Sequence, residues 1–203
     1  MNVELKTERL LLRPLTLADA ETAFTGWTGD AEAMRYVSWL PHRSIAETVE
    51  WLREIAWTQD TPRDNVIWGF VLNETGALFG SGGLVWEAEW ELYQVGYNIN
   101  KAYWGHEYTT EAMRAILAFA AETLGIRRVM GGHAKENAAS GRVLERLGFV
   151  YHHDSMTPHV DGIRVFDSRE YMLDLAAAGG NQNKGCPLDN PGARVYNGIT
   201  RGR

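Results

Sequence analysis

Three consecutive segments of this chain have a strand-like period of two, at residues 66–72, 78–86 and 93–100. A period of two is typical of β-strands, and the polar turn at residues 73–76 (Asn-Glu-Thr-Gly) joins the first two segments as a hairpin. Strands that follow one another with short connections pair as an antiparallel meander. The fold must therefore contain a sheet built around this meander.

Helical patterns lie on either side of the meander. Residues 44–47 (Ser-Ile-Ala-Glu) form a capping box, and one apolar stripe then follows it: Ile45, Val49, Leu52 and Ala56. A stronger helix, ended by Gly125, is predicted from a second stripe: Ala112, Met113, Ile116, Leu117, Ala120 and Leu124. When the shorter patterns at both ends of the chain are included, the predicted order of strands and helices is β-αα-βββ-α-β-α-ββ. This order predicts an α/β fold with a mixed sheet, in one domain over residues 1–175.

Charge and cysteine content exclude some classes of partner. The 203 residues include 20 basic and 26 acidic side chains, a net charge of −6, and such a surface repels polyphosphate and anionic lipid. We therefore predict no nucleic-acid partner and no membrane association. The single cysteine, Cys186, cannot form an internal disulfide, so we expect a cytoplasmic protein. Residues 176–203 lack periodicity and predict a flexible tail.

No metal site is predicted from the sequence. No Cys/His cluster has zinc spacing. His152 and His153 are adjacent on a predicted strand, and neighbouring strand residues point to opposite faces, so these two are not expected to share an ion.

Residues 97–112 run from a strand, through a turn with Gly105, directly into the strongest helix. The first amides of a helix have no intrahelical acceptor and lie at the positive end of its dipole, so this geometry can hold an anion such as a pyrophosphate. An ordinary strand-to-helix loop is the commoner explanation of such a segment.

A second segment, residues 137–149, places a hydroxyl beside the predicted core. Ser140 is spaced by four and seven from Leu144 and Leu147, so it lies on their face of the helix and needs a partner. A bond to nearby backbone is the simplest such partner.

Taken together, these segments resemble the GNAT superfamily of N-acetyltransferases, in its RimJ/RimL-like branch, over residues 7–175. The motifs that carry the resemblance occur in family order at residues 7–14 (TERLLLRP), 96–97 (GY), 103–105 (YWG), 108 (Y), 110–112 (TEA), 137–140 (NAAS), 143–145 (VLE) and 147–149 (LGF). The resemblance implies a mixed sheet whose central strands splay apart, with acetyl-CoA as co-substrate.

The resemblance also implies roles for individual residues. The pantetheine arm would contact Asn98, Ile99 and Asn137, and Ser140 would give a proton to the leaving thiolate. Residues implied at the pyrophosphate turn are Trp104, Gly105, His106, Glu107, Tyr108 and Thr109.

Two departures from the family pattern bear on activity. The pattern Gln/Arg-x-x-Gly-x-Gly/Ala has Ala102 and Glu107 at its outer positions, and the Glu107 carboxylate would repel a phosphate unless it swings outward. Gln94 stands where the branch often has a glutamate, and an amide cannot act as a base. A non-catalytic acyl-CoA-binding or sensing domain is therefore the alternative to an enzyme.

The acceptor implied by the resemblance is a primary amine, on a protein N-terminus or a small molecule. His159 falls where the branch has an acidic residue and is our candidate base, although a solvated loop histidine explains it more simply. Trp39 and Trp86 are candidate acceptor-binding residues, with plain core packing as the alternative for Trp39. The resemblance leaves a homodimer open.

Overall fold

The computed structural model describes residues 3–57 and 65–175, and the side chains of Ala56 and Trp57 are not described. These residues form a mixed sheet with helices on both faces. The strands are β1 (Leu5–Lys6), β2 (Leu10–Pro14), β3 (Val66–Leu72), β4 (Leu78–Glu87), β5 (Leu92–Ile99), β6 (Arg128–Ala134), β7 (Val150–Pro158) and β8 (Val165–Asp174). The α-helices are α1 (Ala20–Ala23), α2 (Ile45–Trp57), α3 (Tyr108–Glu122) and α4 (Ala138–Arg146). The predicted order is confirmed, with β1 added; the predicted tail lies outside the described residues.

The sheet has the order β1-β2-β3-β4-β5-β6-β8-β7 and is antiparallel except where β5 meets β6. Those two strands pair only at Tyr93–Val129 and Gln94–Met130. Beyond this point each strand stays paired on its other edge, β5 with β4 as far as Ile99 and β6 with β8 as far as Ala134. The central strands therefore diverge and leave a gap, as the resemblance implied.

The main core lies between the sheet and helices α3 and α4. The predicted α3 stripe is buried at Ala112, Met113, Ile116, Leu117 and Ala120. Gly125 has a φ of +67°, the left-handed conformation expected of a residue that ends a helix. This packing holds the start of α3 against the end of β5.

The predicted stripe of α2 is rotated from the face that the helix buries. Ile45 is 42% exposed, whereas Thr48, Leu52 and Ile55 are buried. Thr48 is polar, but its hydroxyl lies 3.0 Å from that of Thr28 and 2.8 Å from Nδ1 of His42. The spacing of apolar residues could not predict this buried face, because one of its members is a threonine that is buried with hydrogen-bond partners.

The expectation that His152 and His153 point to opposite faces is wrong. The register of β7 with β8 shifts between Tyr151 and His153, so the strand carries a bulge there. The two Nδ1 atoms lie 2.7 Å apart as a result. In the part of the chain that the structure describes, no group of three or more His, Cys, Asp or Glu side chains is arranged to hold a metal ion.

Within residues 3–57 and 65–175, no helix is both long and apolar enough to cross a lipid bilayer.

Candidate active site

The loop between β5 and α3 presents the start of the helix to solvent. Trp104, Gly105, His106 and Glu107 are exposed, and Gly105 has a φ of +81°. Glu107 is the N-cap residue of α3 and offers the helix no side-chain hydrogen bond. The first amides of α3, which lack acceptors within the helix, are therefore left for an external acceptor.

The Glu107 side chain is paired with a cation on another helix. Its Oε1 lies 2.7 Å from Nη1 of Arg146 on α4. Its backbone has a φ of 63°, in the left-handed region where a side chain costs about 1–2 kcal/mol. The ion pair with Arg146 offsets part of the negative charge that Glu107 brings to the start of α3.

The N-terminal motif at residues 7–14 supports this loop. Arg9 donates from Nε to Glu111 at 2.6 Å and from Nη1 to the His106 carbonyl at 3.1 Å, and its guanidinium lies over the Tyr108 ring. Thr7 donates to Glu111 at 2.6 Å. Burial acts to raise the pKa of Glu111, but the hydrogen bonds from Thr7 and Arg9 outweigh it and hold that pKa below its usual value. Sequence reasoning recognised this motif without assigning these contacts.

The residues predicted to meet the pantetheine arm lie on β5 beyond its last pair with β6. Asn98 and Ile99 pair with β4 on one edge and face the gap on the other. The Ile99 carbonyl accepts from Nε1 of Trp104 at 3.2 Å, and the Asn98 amide lies 2.7 Å from the sulfur of Met34. Backbone at the open edge of β5 is thus held in an extended form beside the gap.

Across the gap, Ser140 and Tyr97 form a pair of hydroxyls. The Tyr97 oxygen on β5 lies 2.8 Å from Oγ of Ser140 on α4. The predicted bond from Ser140 to nearby backbone is thus replaced by a partner on another element. Asn137 caps α4, its Oδ1 accepting from the Ser140 amide at 3.2 Å. Burial raises the pKa of Tyr97 to about 12, although the Ser140 hydrogen bond acts to lower it, so the phenol stays protonated near neutral pH.

The sequence of this chain also matches a known family. A family model described as an acetyltransferase (GNAT) domain matches residues 9–150. The chain belongs to the GNAT acetyltransferase family. It is an N-acetyltransferase, and its sheet with splayed central strands is the GNAT fold.

Individual relatives agree with the assignment. The chain is 28% identical over 146 residues to the uncharacterized N-acetyltransferase YoaA of Bacillus subtilis (strain 168), covering 71% of this chain and 81% of YoaA. A GNAT family acetyltransferase from Bacillus anthracis has a TM-score of 0.73 at 21% identity, covering 85% of this chain and 99% of that one. A ribosomal-protein-S5-alanine acetyltransferase from Vibrio fischeri has a TM-score of 0.71 at 17% identity, covering 85% and 97%.

In this GNAT domain, His159 is buried, so the expectation of a solvated loop histidine is wrong. The tip of the β7–β8 hairpin folds onto the segment between α1 and α2, where Val160 donates from its amide to the Ser38 carbonyl at 2.9 Å. The His159 ring is 1% exposed and lies within hydrogen-bonding distance of Asp161 and Arg164. Its role as a base stays a prediction.

The two tryptophans predicted to bind the acceptor are not brought together. Trp39 stacks with Trp51 at 6.1 Å and lies 4.9 Å from the His42 ring, in the segment that leads into α2. Trp86 instead pairs with Tyr93 on β5. Tyr93 lies six residues before Ile99, so Trp86 is about 20 Å along the strand from the open end of the gap. The fold places only Trp39 on a segment near that end.

Proposed function

We propose that this GNAT enzyme uses acetyl-CoA to acetylate a primary amine, by direct attack of the amine on the thioester in a ternary complex. The observation that carries the proposal is the gap between β5 and β6, which opens between the free amides of α3 and the hydroxyl pair of Tyr97 and Ser140. The RimJ/RimL-like branch is proposed as well, on the order of the sequence motifs.

The donor end suits a diphosphate. A helix start attracts an anion through its free amides and its dipole, and residues 105–109 supply that start here. Arg9 fixes the loop by its contacts with Glu111 and the His106 carbonyl. We propose that the diphosphate of acetyl-CoA binds these amides and that its pantetheine arm follows Asn98, Ile99 and Asn137.

The hydroxyl pair suits the leaving group. When the carbon–sulfur bond breaks, the thiolate needs a proton or a strong hydrogen bond. Ser140 is the proposed donor, and Tyr97, whose pKa burial raises further above neutral, to about 12, holds the Ser140 hydroxyl in place. An amide near Ile99 is the proposed donor to the thioester oxygen, in the manner of an oxyanion hole.

For the acceptor, we propose a protein N-terminus or a small amine. The name of one structural neighbour, a ribosomal-protein-S5-alanine acetyltransferase, supports a protein N-terminus as the acceptor. His159 is proposed as a residue of the acceptor side, because its hairpin contacts Ser38 in the segment between α1 and α2. A cytoplasmic location and the absence of nucleic-acid or membrane partners stay proposals.

The test is acetyl-CoA binding by calorimetry, together with thiol release across peptides that begin with alanine or serine and a panel of small primary amines. Binding with turnover on at least one acceptor is the expected result. Binding without turnover on any acceptor would favour a non-catalytic acyl-CoA-binding domain. No binding would contradict both.

A further inference from the structure

Each strand that borders the gap has a glycine two residues beyond the last pair. Gly96 follows Gln94 on β5, and Gly132 follows Met130 on β6. A Cβ atom at position 96 would meet no atom within 4 Å, so the space above Gly96 is open. A Cβ atom at position 132 would lie 2.5 Å from Oε2 of Glu170. The β5 side of the gap therefore has free space at Gly96, and a carboxylate lies over the β6 side at Gly132.

Glu170 lies on the face of the sheet opposite α3 and α4. Its neighbour Tyr171 packs in the core beneath α4, and side chains alternate along a strand. On β6, a Cβ atom at Gly131 would meet α4, whereas one at Gly132 would meet Glu170. The carboxylate is thus separated by the sheet from the hydroxyl pair on the other face.

The open space above Gly96 is on the same face as Glu170. Asn98, two residues further along β5, points toward this face and contacts Met34 in the segment between α1 and α2. Gly96 and Gly132 each lie two residues beyond the last pair of the parallel strands, so they border the same stretch of the gap on this face of the sheet.

The Glu170 carboxylate is fixed rather than mobile. The residue is 1% exposed, and its Oε1 accepts from Oγ of Ser155 at 2.6 Å. On β8 it pairs in register with Gly132 on one side and His153 on the other. Gly132 leaves room for the carboxylate, and any larger residue there would displace it.

We propose that Glu170 binds the acceptor amine and takes its proton. The inference rests on the proposed function and goes further, because it gives Glu170 the role of base for which His159 was the candidate and which Gln94 cannot fill. A carboxylate binds an ammonium group through charge-assisted hydrogen bonds.

In the proposed step, the ammonium gives one proton to the Glu170 carboxylate, and the nitrogen lone pair forms the bond to the thioester carbon. The nitrogen loses its second proton to water as the carbon–sulfur bond breaks. The sulfur takes a proton from the Ser140 hydroxyl, which water restores. Glu170 then releases its proton to solvent and is ready for the next turnover, so the products are an N-acetyl amine, the free thiol of CoA and one proton.

The test compares Glu170→Gln with Asp167→Asn, an exposed carboxylate on the same strand that pairs with Lys135 at 2.8 Å. Thiol release is followed from pH 6 to 10 with whichever peptide or amine the wild type uses fastest. Glu170→Gln is expected to lower kcat about 100-fold near pH 7, because general-base catalysis contributes this much or more. The loss is expected to shrink at high pH, where the amine is already neutral, and Asp167→Asn is expected to behave as the wild type.

Acetyl-CoA affinity and the thermal midpoint of each variant separate a chemical role from a structural one. Unchanged affinity with lowered kcat supports the inference, and Glu170→Asp is expected to retain part of the activity. A Glu170→Gln enzyme with turnover within threefold of the wild type would overturn the inference. A joint loss of folding and acetyl-CoA binding in Glu170→Gln and Glu170→Asp would also overturn it, because it would show that Glu170 has a structural role. A wild type that transfers to no acceptor would overturn the proposed function as well.

Discussion

The phenol of Tyr97 and the hydroxyl of Ser140, 43 residues apart in the chain, lie 2.8 Å from each other across the gap between the central strands. One comes from β5 and the other from the first turn of α4. The contact joins β5 to α4 beyond the point where β5 stops pairing with β6. It also places a protonated phenol behind the hydroxyl proposed to serve the leaving group.

Replacing Ser140 by alanine is expected to lower kcat by about 100-fold, in the range of a lost proton donor, with acetyl-CoA affinity changed less than threefold. Tyr97→Phe keeps the ring and removes only the supporting hydrogen bond, so a smaller loss of about fivefold is expected. Steady-state kinetics with calorimetric binding measure both. Full turnover in Ser140→Ala would contradict its role as the acid.

Glu107→Gly is expected to stabilise the protein by about 1 kcal/mol, because glycine adopts a positive φ without the side-chain penalty. The lost ion pair with Arg146 offsets little of this, since both groups are about half exposed and such pairs contribute about 0–1 kcal/mol. Denaturant unfolding measures the change, and calorimetry should show tighter acetyl-CoA binding as a carboxylate leaves the phosphate site. Arg146→Gln is the matched control, which breaks the pair and leaves the backbone strained, so it should show no gain in stability.

Glu111→Gln is expected to destabilise the protein by about 1–3 kcal/mol at pH 7, since it weakens hydrogen bonds to a charged group. The folded-state pKa of Glu111 lies below its usual value, so the stabilisation is present above the unfolded-state pKa of about 4.3 and is lost as pH falls through the folded-state value. Unfolding free energies of wild type and variant should therefore converge below about pH 4. A difference that stays constant down to pH 3 would contradict this account.

Thr48→Val is expected to cost about 1–3 kcal/mol, because it leaves buried Thr28 and the His42 ring without their shared partner. Burial already lowers the pKa of His42, so the ring stays neutral near pH 7 and bonds through a neutral nitrogen. Thermal unfolding measures the loss. Exposed Thr22→Val on α1 is the control and should change the unfolding free energy by less than about 0.5 kcal/mol.

The sequence predicted most of the fold because the patterns that specify it are local. The period of two from residue 66 and the apolar stripe at Met113, Ile116 and Ala120 each depend on residues a few positions apart, and each is found in the structure. The face of α2 was misjudged because burial of Thr48 depends on Thr28 and His42, which no short-range pattern connects. The bulge at His152 was missed because it is an irregularity in pairing with another strand.

The candidate site was predicted in part for the same reason. Gly105 and the start of α3 are contiguous in sequence, and so are Asn137 and Ser140. The partner of Ser140 is Tyr97, and the carboxylate over Gly132 is Glu170, and both contacts join separate elements. His159 was explained most simply as a solvated loop residue, yet its hairpin folds back onto Ser38, a contact between distant segments.

The sequence by itself determined the order of strands and helices, the apolar face of α3 and the turn that opens it, since backbone preference and hydrophobic period act over a single turn or hairpin. Only the tertiary structure decided where β5 and β6 part, which hydroxyl meets Ser140 and which carboxylate lies at the gap. Those contacts depend on how the sheet and helices pack together, and packing brings into contact residues that no local pattern links.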